Sequence, residues 1–263
     1  MSAPAPSDRD RLMRVAAALA AAASEPPKAS STASARKRRL PVVSASDAAG
    51  LVALLHDQLD EAIDRRREDA EREGLVIACK RGCNACCASP VIVGEHEALT
   101  VARWLALPDQ AALRERFTAR YPSWRAALGE LIEQVAQAPD EAAREERGAA
   151  YRQRWAMCPF NEQGDCAIYP VRPALCRKVH ALGSDAACRE PDGEVDTFAH
   201  PEVEATYEGQ EGLRAVLHHA LRPARVGEAL PKAVLRRLTA ANAFPNQPCA
   251  CGSGKKHRHC CGA

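Results

Sequence analysis

Twelve cysteines in a chain of 263 residues fall into three tight groups, and this grouping restricts the fold more than any other feature. The first group is Cys79, Cys83, Cys86 and Cys87; the second is Cys158, Cys166, Cys176 and Cys188; the third is Cys249, Cys251, Cys260 and Cys261. An even count invites a disulfide framework, but the adjacent pairs Cys86-Cys87 and Cys260-Cys261 oppose one. Neighbouring α-carbons lie about 3.8 Å apart. A disulfide usually spans roughly 4.4 to 6.8 Å between α-carbons, so a bond within either pair is strained and each cysteine needs a partner elsewhere. Zinc has no such difficulty, because it takes four sulfurs at about 2.3 Å and short loops supply them without strain. The cysteines read as metal ligands in a compartment that keeps thiols reduced.

The remaining composition sets the scaffold. The length admits one ordinary domain with appendages, or two small domains. Alanine, the best helix former, is abundant, while Phe, Trp and Tyr (4, 3 and 4) are too few for a base-stacking platform. Lys and Arg number 36 against 34 Asp and Glu, a formal charge of +2, which excludes polyanion binding driven by bulk charge. No uninterrupted apolar run approaches the roughly 18 residues that a membrane span requires. Met13-Arg14-Val15 and the alanine-rich run after it imitate a secretory leader. Asp8 and Asp10, however, sit where such a leader is basic, and alanine stands where leucine is usual. The expected location is cytoplasmic.

Residues 1–45 are expected to form a disordered Ala/Ser/Pro-rich tail with a basic run, Arg36-Lys37-Arg38-Arg39. A cysteine-cluster metal-binding domain is expected over 46–190, a helical extension over 191–243 and a zinc-binding tail over 244–263. Ser46-Asp47 offers an N-cap to a helix carrying Leu51, Leu55, Leu59 and Ile63, which Gly74 ends. Leu75 to Ala78 then leads as an extended piece into the first cysteines. Helices are predicted from Glu95 to Leu107, around Leu113 and Phe117, and through Trp124, Leu128, Leu131/Ile132 and Val135. Pro139 separates the last of these from a charged helix running toward Trp155. Two more carry Leu213, Leu217 and Leu221, then Leu230, Val234 and Leu238. Helices carry the scaffold and loops carry the cysteines. The fold class is therefore mainly α: a small helical domain organised around a cysteine-ligated metal centre, with a short zinc-binding C-terminal tail.

The third cysteine group has the sharpest pattern. Pro245-Asn246-Gln247-Pro248 leads into Cys249-Ala250-Cys251-Gly252-Ser253-Gly254-Lys255-Lys256, then His257-Arg258-His259-Cys260-Cys261-Gly262. Gly252 and Gly254 permit a sharp reversal and let their amides approach sulfur closely. Four thiolates around Zn²⁺ remain anionic, and Lys255, Lys256 and Arg258 can offset that charge. The segment resembles the SEC-C motif, the small zinc-binding tail of the SecA preprotein translocase ATPase and of many other bacterial proteins. It departs from the family at Ala250, where proline is frequent. The resemblance implies Zn²⁺ at this motif and a docking role toward a chaperone, translocation or ribosome-associated protein partner. His257 and His259 read as surface residues beside four thiols.

The first two groups belong together. Cys79-x3-Cys83-x2-Cys86-Cys87 is followed by Cys158-Pro159-Phe160, Cys166-Ala167-Ile168-Tyr169-Pro170 and Arg172-Pro173-Ala174-Leu175-Cys176-Arg177. Over roughly residues 75 to 180 this is similar to the YkgJ-type cysteine-cluster family, also described as a CxxCxxCC or zinc- or iron-chelating domain. The resemblance implies that Cys79, Cys83, Cys86, Cys87, Cys158, Cys166 and Cys176 are metal ligands; Cys188 lies outside the matched segment and ranks below them. Arg172 and Arg177 flank Cys176, where they can hydrogen-bond to and neutralise a thiolate centre or simply form surface salt bridges. Phe160, Ile168 and Tyr169 are expected to pack around the centre. His96 and His180 are further ligand candidates, though a lone histidine is usually structural. Thiolate surroundings suit zinc and suit an Fe–S cluster or iron, and seven or eight thiols admit one centre or two.

Three functions follow. The leading one is a cytoplasmic zinc- or iron-chelating protein whose tail docks a protein partner. Flagellin lysine methylases carry a similar cysteine cluster, so an Fe–S-dependent modification or redox enzyme is an alternative. A ribosome or nucleic-acid binding adaptor is another, using the tail with Arg36 to Arg39 and Lys255 to Arg258. The chain has no dinucleotide-binding glycine fingerprint, no P-loop and no H-E-x-x-H, which favours binding over catalysis but leaves a reaction at the metal itself untouched.

Overall fold

The longest helix shows how local chemistry sets the boundaries. In a computed structural model describing residues 6–24, 43–190, 201–220 and 227–240, helix α2 spans Ala45–Arg72. Its N-cap is Ser44, two residues before the predicted pair, and the Ser44 hydroxyl accepts from the Asp47 N–H at 3.0 Å. The other end is set by Gly74, at φ +73°. Gly74 donates to the Glu71 carbonyl at 3.1 Å and Leu75 to that of Ala70 at 2.8 Å, a Schellman turn that accounts for the predicted stop.

The other helices are α1 (Pro6–Ser24), α3 (Glu95–Leu105), α4 (Ala111–Leu128), α5 (Leu131–Ala136), α6 (Glu141–Gln153), α7 (Ala174–Lys178), α8 (Pro201–Gly209), α9 (Glu211–Ala220) and α10 (Leu230–Ala240). Four two-residue strands accompany them: β1 (Ile92–Val93), β2 (Asn161–Glu162), β3 (Asp165–Cys166) and β4 (Glu228–Ala229). The fold is mainly helical, as expected. The helices predicted around Leu113 and Trp124 are one element, α4, which passes through Pro122. Gly129, at φ +52°, then separates α4 from α5.

The largest core gathers Val101, Trp104 and Leu105 of α3, Phe117, Tyr121 and Trp124 of α4, and Leu230, Val234 and Leu235 of α10. Strand β4 joins it by pairing antiparallel with β1, Ile92 opposite Ala229 and Val93 opposite Glu228. A β-carbon at Gly227 would stand 3.0 Å from Ile92 Cγ2, so this junction needs a small residue. The stretch expected to be an extension thus supplies a wall of the main core. A smaller core joins Leu59, Ala62 and Ile63 of α2 to Ala174 at the start of α7 and Val203 of α8.

The N-terminal expectation needs correction over part of its length. Pro6–Ser24 form α1 rather than a disordered tail. Leu12 and Leu19, two helical turns apart, are buried against Leu51, Leu55 and Leu217. Gly50 lets α2 approach, since a β-carbon there would lie 2.9 Å from Leu12 Cδ1, and Arg11 pairs with Asp47. The basic run Arg36 to Arg39 lies outside the described residues.

Glu95, in the first turn of α3, anchors α10 through ion pairs. Its carboxylate is almost wholly buried and pairs with Arg236 at 2.6 Å and with Arg237. Arg236 also reaches Glu228 at 2.9 Å. Burial pushes the Glu95 carboxyl up, but hydrogen bonds and charge from Arg236 and Arg237 overcome that and hold it below its ordinary value. Such a lowered group stabilises the fold above the unfolded carboxylate range, and the contribution is lost as pH falls through the folded value. Glu95→Ala takes the buried carboxylate from Arg237 and leaves Arg236 to Glu228, and is expected to cost about 3 kcal/mol. Urea denaturation at neutral pH checks this, and the gap from wild type should narrow in acid.

Candidate metal centre

Three segments separated in sequence bring the first two cysteine groups to one cavity. The first is the loop after α2. Ile77 bridges Leu182, Ala78 donates to the Ala181 carbonyl at 2.9 Å, and Gly183 donates to that of Val76 at 2.7 Å. Beyond that clamp Gly82, at φ +88°, reverses the chain; Cys83 donates to the Lys80 carbonyl at 3.0 Å. A 3-10 turn at Ala85–Ala88 then carries Cys86 and Cys87.

The second segment is the hairpin of β2 and β3. Its two-residue turn, Gln163 at φ +54° and Gly164 at φ +98°, matches the twist of a tight hairpin. Asn161 stands opposite Cys166. The Cys158 N–H donates to the Cys87 carbonyl at 2.8 Å, and Asn161 Nδ2 donates to the Cys87 thiol at 3.6 Å. Phe160 stacks on Phe117 with centroids 4.2 Å apart, tying the hairpin to the main core.

The third segment is α7, which carries Cys176. Glu97 of α3 accepts from the Ala174 N–H at 2.8 Å and faces His56 Nε2 at 3.7 Å. Burial raises the Glu97 carboxyl, yet the His56 hydrogen bond and the neighbouring His96 pull it down to about 2. Arg177 is buried, donates to the carbonyls of Arg172 at 2.8 Å and Pro170 at 3.0 Å, and pairs with Asp60 of α2. Its bonds hold the loop before α7 in place; Arg172 lines the cavity, its guanidinium 4.0 Å over the Tyr169 ring.

The cavity, of about 100 Å³, is lined by Cys79, Cys83, Cys86, Cys87, Cys158, Cys166 and Cys176, together with Arg67, Arg172 and His180. That room is well below the roughly 300 Å³ at which pockets for organic ligands begin. Ions fit better. All eight cysteines of the two groups are free thiols. Cys188 does not line the cavity, and neither does His96, which is buried in α3. His180 lines it but is neutral at pH 7, burial having pushed it down to about 4. Phe160 and Ile168 are buried as expected, while Tyr169 is exposed. Cys249, Cys251, Cys260 and Cys261 lie outside the described residues.

Burial raises the thiols of Cys79, Cys158, Cys166, Cys176 and Cys188 above their ordinary value. Cys86 is raised first by its hydrogen bond with Cys87. Among the described residues no three His, Cys, Asp or Glu side chains converge tightly enough to hold an ion as they stand. The donor chemistry nevertheless fits a soft metal. Arg67 Nε and Arg172 Nε, both at the cavity, are buried N–H groups with no acceptor, and an anionic metal–thiolate centre is the kind of partner they lack.

Sequence reasoning missed Arg67, although its place one turn after Ile63 on the buried stripe of α2 is a signal that could have found it. The bracing carboxylates Asp60 and Glu97 had no such signal, because a lone acid on a helix reads as solvated.

Comparison with known proteins bears on the tail. The SEC-C motif family matches residues 246–263, the segment whose resemblance was drawn on Pro245 to Gly262. A protein translocase subunit SecA from Lachnoclostridium phytofermentans is 54% identical over 35 residues, which is 13% of this chain and 4% of that protein's length. No solved structure matches. The motif supports metal binding, with zinc the fitting ion for its four thiols. The YkgJ-type resemblance rests on the residues Cys79 to Cys176 themselves. Among the described residues no helix is long and apolar enough to cross a membrane.

Proposed function

We propose that this chain is a cytoplasmic metal-binding protein whose cysteine-lined cavity chelates zinc or iron and whose C-terminal motif holds Zn²⁺ and docks a protein partner. The observation that carries the first half is the meeting of seven thiols, from segments about 70 residues apart, in one small cavity. Arg67 and Arg172 would offset the charge of the bound centre. The motif match and its SecA relative support the second half, and a translocation-related partner is the most economical one.

Anaerobically purified full-length protein should carry at least two metal equivalents, one in the cavity and one in the tail. Because thiols raised by burial must lose their protons to bind, uptake should release acid and strengthen as pH rises. Elemental analysis with a pH-indicator titration checks both; one equivalent or less, with twelve titratable thiols, overturns the two-region reading.

A second reading is an Fe–S-dependent modification or redox enzyme. An open cleft of about 560 Å³ beside Cys166, bordered by Arg81, Arg116 and Arg120, favours it by giving a substrate room next to the cavity. A brown protein absorbing near 400 nm, sensitive to oxygen, would move the assignment there.

A further inference from the structure

Charge is spread unevenly over this chain. Overall it is near neutral, with 36 Lys and Arg against 34 Asp and Glu. Yet the cysteine cavity and the open cleft next to it are lined by six cations, Arg67, Lys80, Arg81, Arg116, Arg120 and Arg172, and by two carboxylates, Glu162 and Asp165. That surplus exceeds the formal charge of the whole molecule, +2. The two spaces adjoin, since Arg81, Asp165, Cys166 and Tyr169 line both. Another open groove, of about 480 Å³ on α4 and α10, carries one charge of each sign, Arg114 and Glu115. The cationic excess therefore belongs to the cleft beside the cysteines and not to α4 in general.

Local structure fixes the cations of the cleft. Arg116 and Arg120 stand one turn apart on α4 and share a face. Glu162 of the β2–β3 hairpin accepts from Arg116 Nε at 2.8 Å and Nη2 at 3.1 Å, and from Arg120 Nη1 at 3.1 Å. Arg120 Nη1 also donates to the Asn161 carbonyl at 3.1 Å. One carboxylate thus holds two guanidiniums side by side and offsets the charge of only one, while Arg116 Nη1 and Arg120 Nη2 remain to meet another acceptor. On the opposite wall Arg81 is 84% exposed and stands 3.8 Å from Asp165, too far for a hydrogen bond, so its guanidinium can turn to a ligand. The loop that bears it lies against the hairpin turn, where a β-carbon at Gly164 would be 3.6 Å from the Gly82 carbonyl oxygen.

We propose that this cleft binds a small organic anion bearing two or more negative charges, as carboxylate or phosphate groups, between Arg116 and Arg120 on one wall and Arg81 on the other, beside Cys166. The proposal rests on the second reading above for the role of the bound molecule as a substrate, and deepens it by naming the substrate's class. Guanidinium forks match the paired oxygens of either anionic group. The volume, about 560 Å³, falls inside the roughly 300–1,000 Å³ of pockets for organic ligands. Ala167, Tyr169 and Pro170 give the carbon skeleton of such a molecule apolar surface to lie on. Tyr169 is the one aromatic side chain lining the cleft, too little for the base stacking that single-stranded nucleic acid uses. Exposed ion pairs contribute little to stability, so the arginines of the cleft can be replaced without unfolding the chain.

The test is isothermal titration of the full chain with succinate and with methyl phosphate, both weak chelators, and with neutral succinamide as the control. One site per chain is expected for at least one of the two anions and none for succinamide, with affinity falling as salt is added. The tighter of the two names the anionic group. Arg120→Ala should weaken binding about tenfold. Glu162→Gln keeps an oxygen acceptor for the arginines but removes the charge that opposes the ligand, so it should tighten binding about threefold. Both variants should keep the metal content of wild type, since neither residue lines the cysteine cavity. If neither anion binds, or if both variants bind as wild type does, the cleft is not an anion site, while the chelating cavity stands. An oligonucleotide that binds through these arginines where neither small anion does also overturns the proposal and assigns the surface to nucleic acid. Arginine-dependent anion binding by a chain that shows no Fe–S absorption supports the site and removes only the redox-enzyme reading.

Discussion

Cys166→Ser is expected to weaken metal binding in the cavity and to lower the melting temperature of the metal-loaded protein by about 10 °C. The size follows from linkage. An ion at 1,000 times its dissociation constant stabilises the folded state by about 4 kcal/mol, and for a domain of this size each kcal/mol moves the midpoint by roughly 2–4 °C. The mechanical reason is that one ion would tie the loop after α2, the β2–β3 hairpin and α7, segments otherwise joined by a few hydrogen bonds such as Cys158 N–H to Cys87 carbonyl at 2.8 Å. The control is the metal-stripped state, in which wild type and variant should melt nearly together because the side-chain change itself is small. Calorimetry of loaded and stripped forms separates the two contributions. Equal melting and equal metal content in the loaded forms would show that Cys166 is not a ligand.

What the sequence reveals about such a site depends on how far its physics reaches along the chain. Ligand type and spacing are local, so the cysteines and the flanking C-P-F and R-P-x-x-C-R segments stand out unaided. Phe160 and Ile168 are apolar residues in a polar loop, and both turn out buried. The supports are long-range. Glu97 acts on α7 across 77 positions and Arg177 reaches Asp60 across 117, and no periodicity announces either pairing.

The same distinction divides the scaffold. Helix α2 is legible because leucines at helical spacing and a terminal glycine are local signals. Strands β1 and β4 have two residues each, too short for any alternation, and are defined by pairing across more than 130 positions. Helix α1 is hidden for another reason: its alanines resemble a low-complexity tail, and among its described side chains only Leu12 and Leu19 are deeply buried. Among the described side chains of helix α8, Pro201–Gly209, only Val203 is deeply buried, so almost no apolar stripe is there to read.

The tail should behave as an independent metal module. All four of its cysteines lie between positions 249 and 261, so no contact with the body is needed to assemble a tetrathiolate. A unit this small has no core of its own, and its folding free energy is the binding free energy, about 10 to 16 kcal/mol for zinc-finger peptides at neutral pH. A peptide of residues 245–263 is therefore expected to bind one Zn²⁺, or one Co²⁺ with the visible bands of a tetrahedral tetrathiolate. Free thiols titrate near pH ~8.5, so protons compete with the ion and the affinity should fall steeply as pH drops below neutral. In the full chain, truncation after Ala243 should remove one zinc equivalent and abolish partner docking while leaving the melting and the metal of the body unchanged. Isothermal titration of the peptide and elemental analysis of the truncated chain provide the two readouts. A peptide that takes up no metal at neutral pH defeats the independent module. A truncation that empties the cavity defeats it differently, by showing that Cys249 to Cys261 complete the central site.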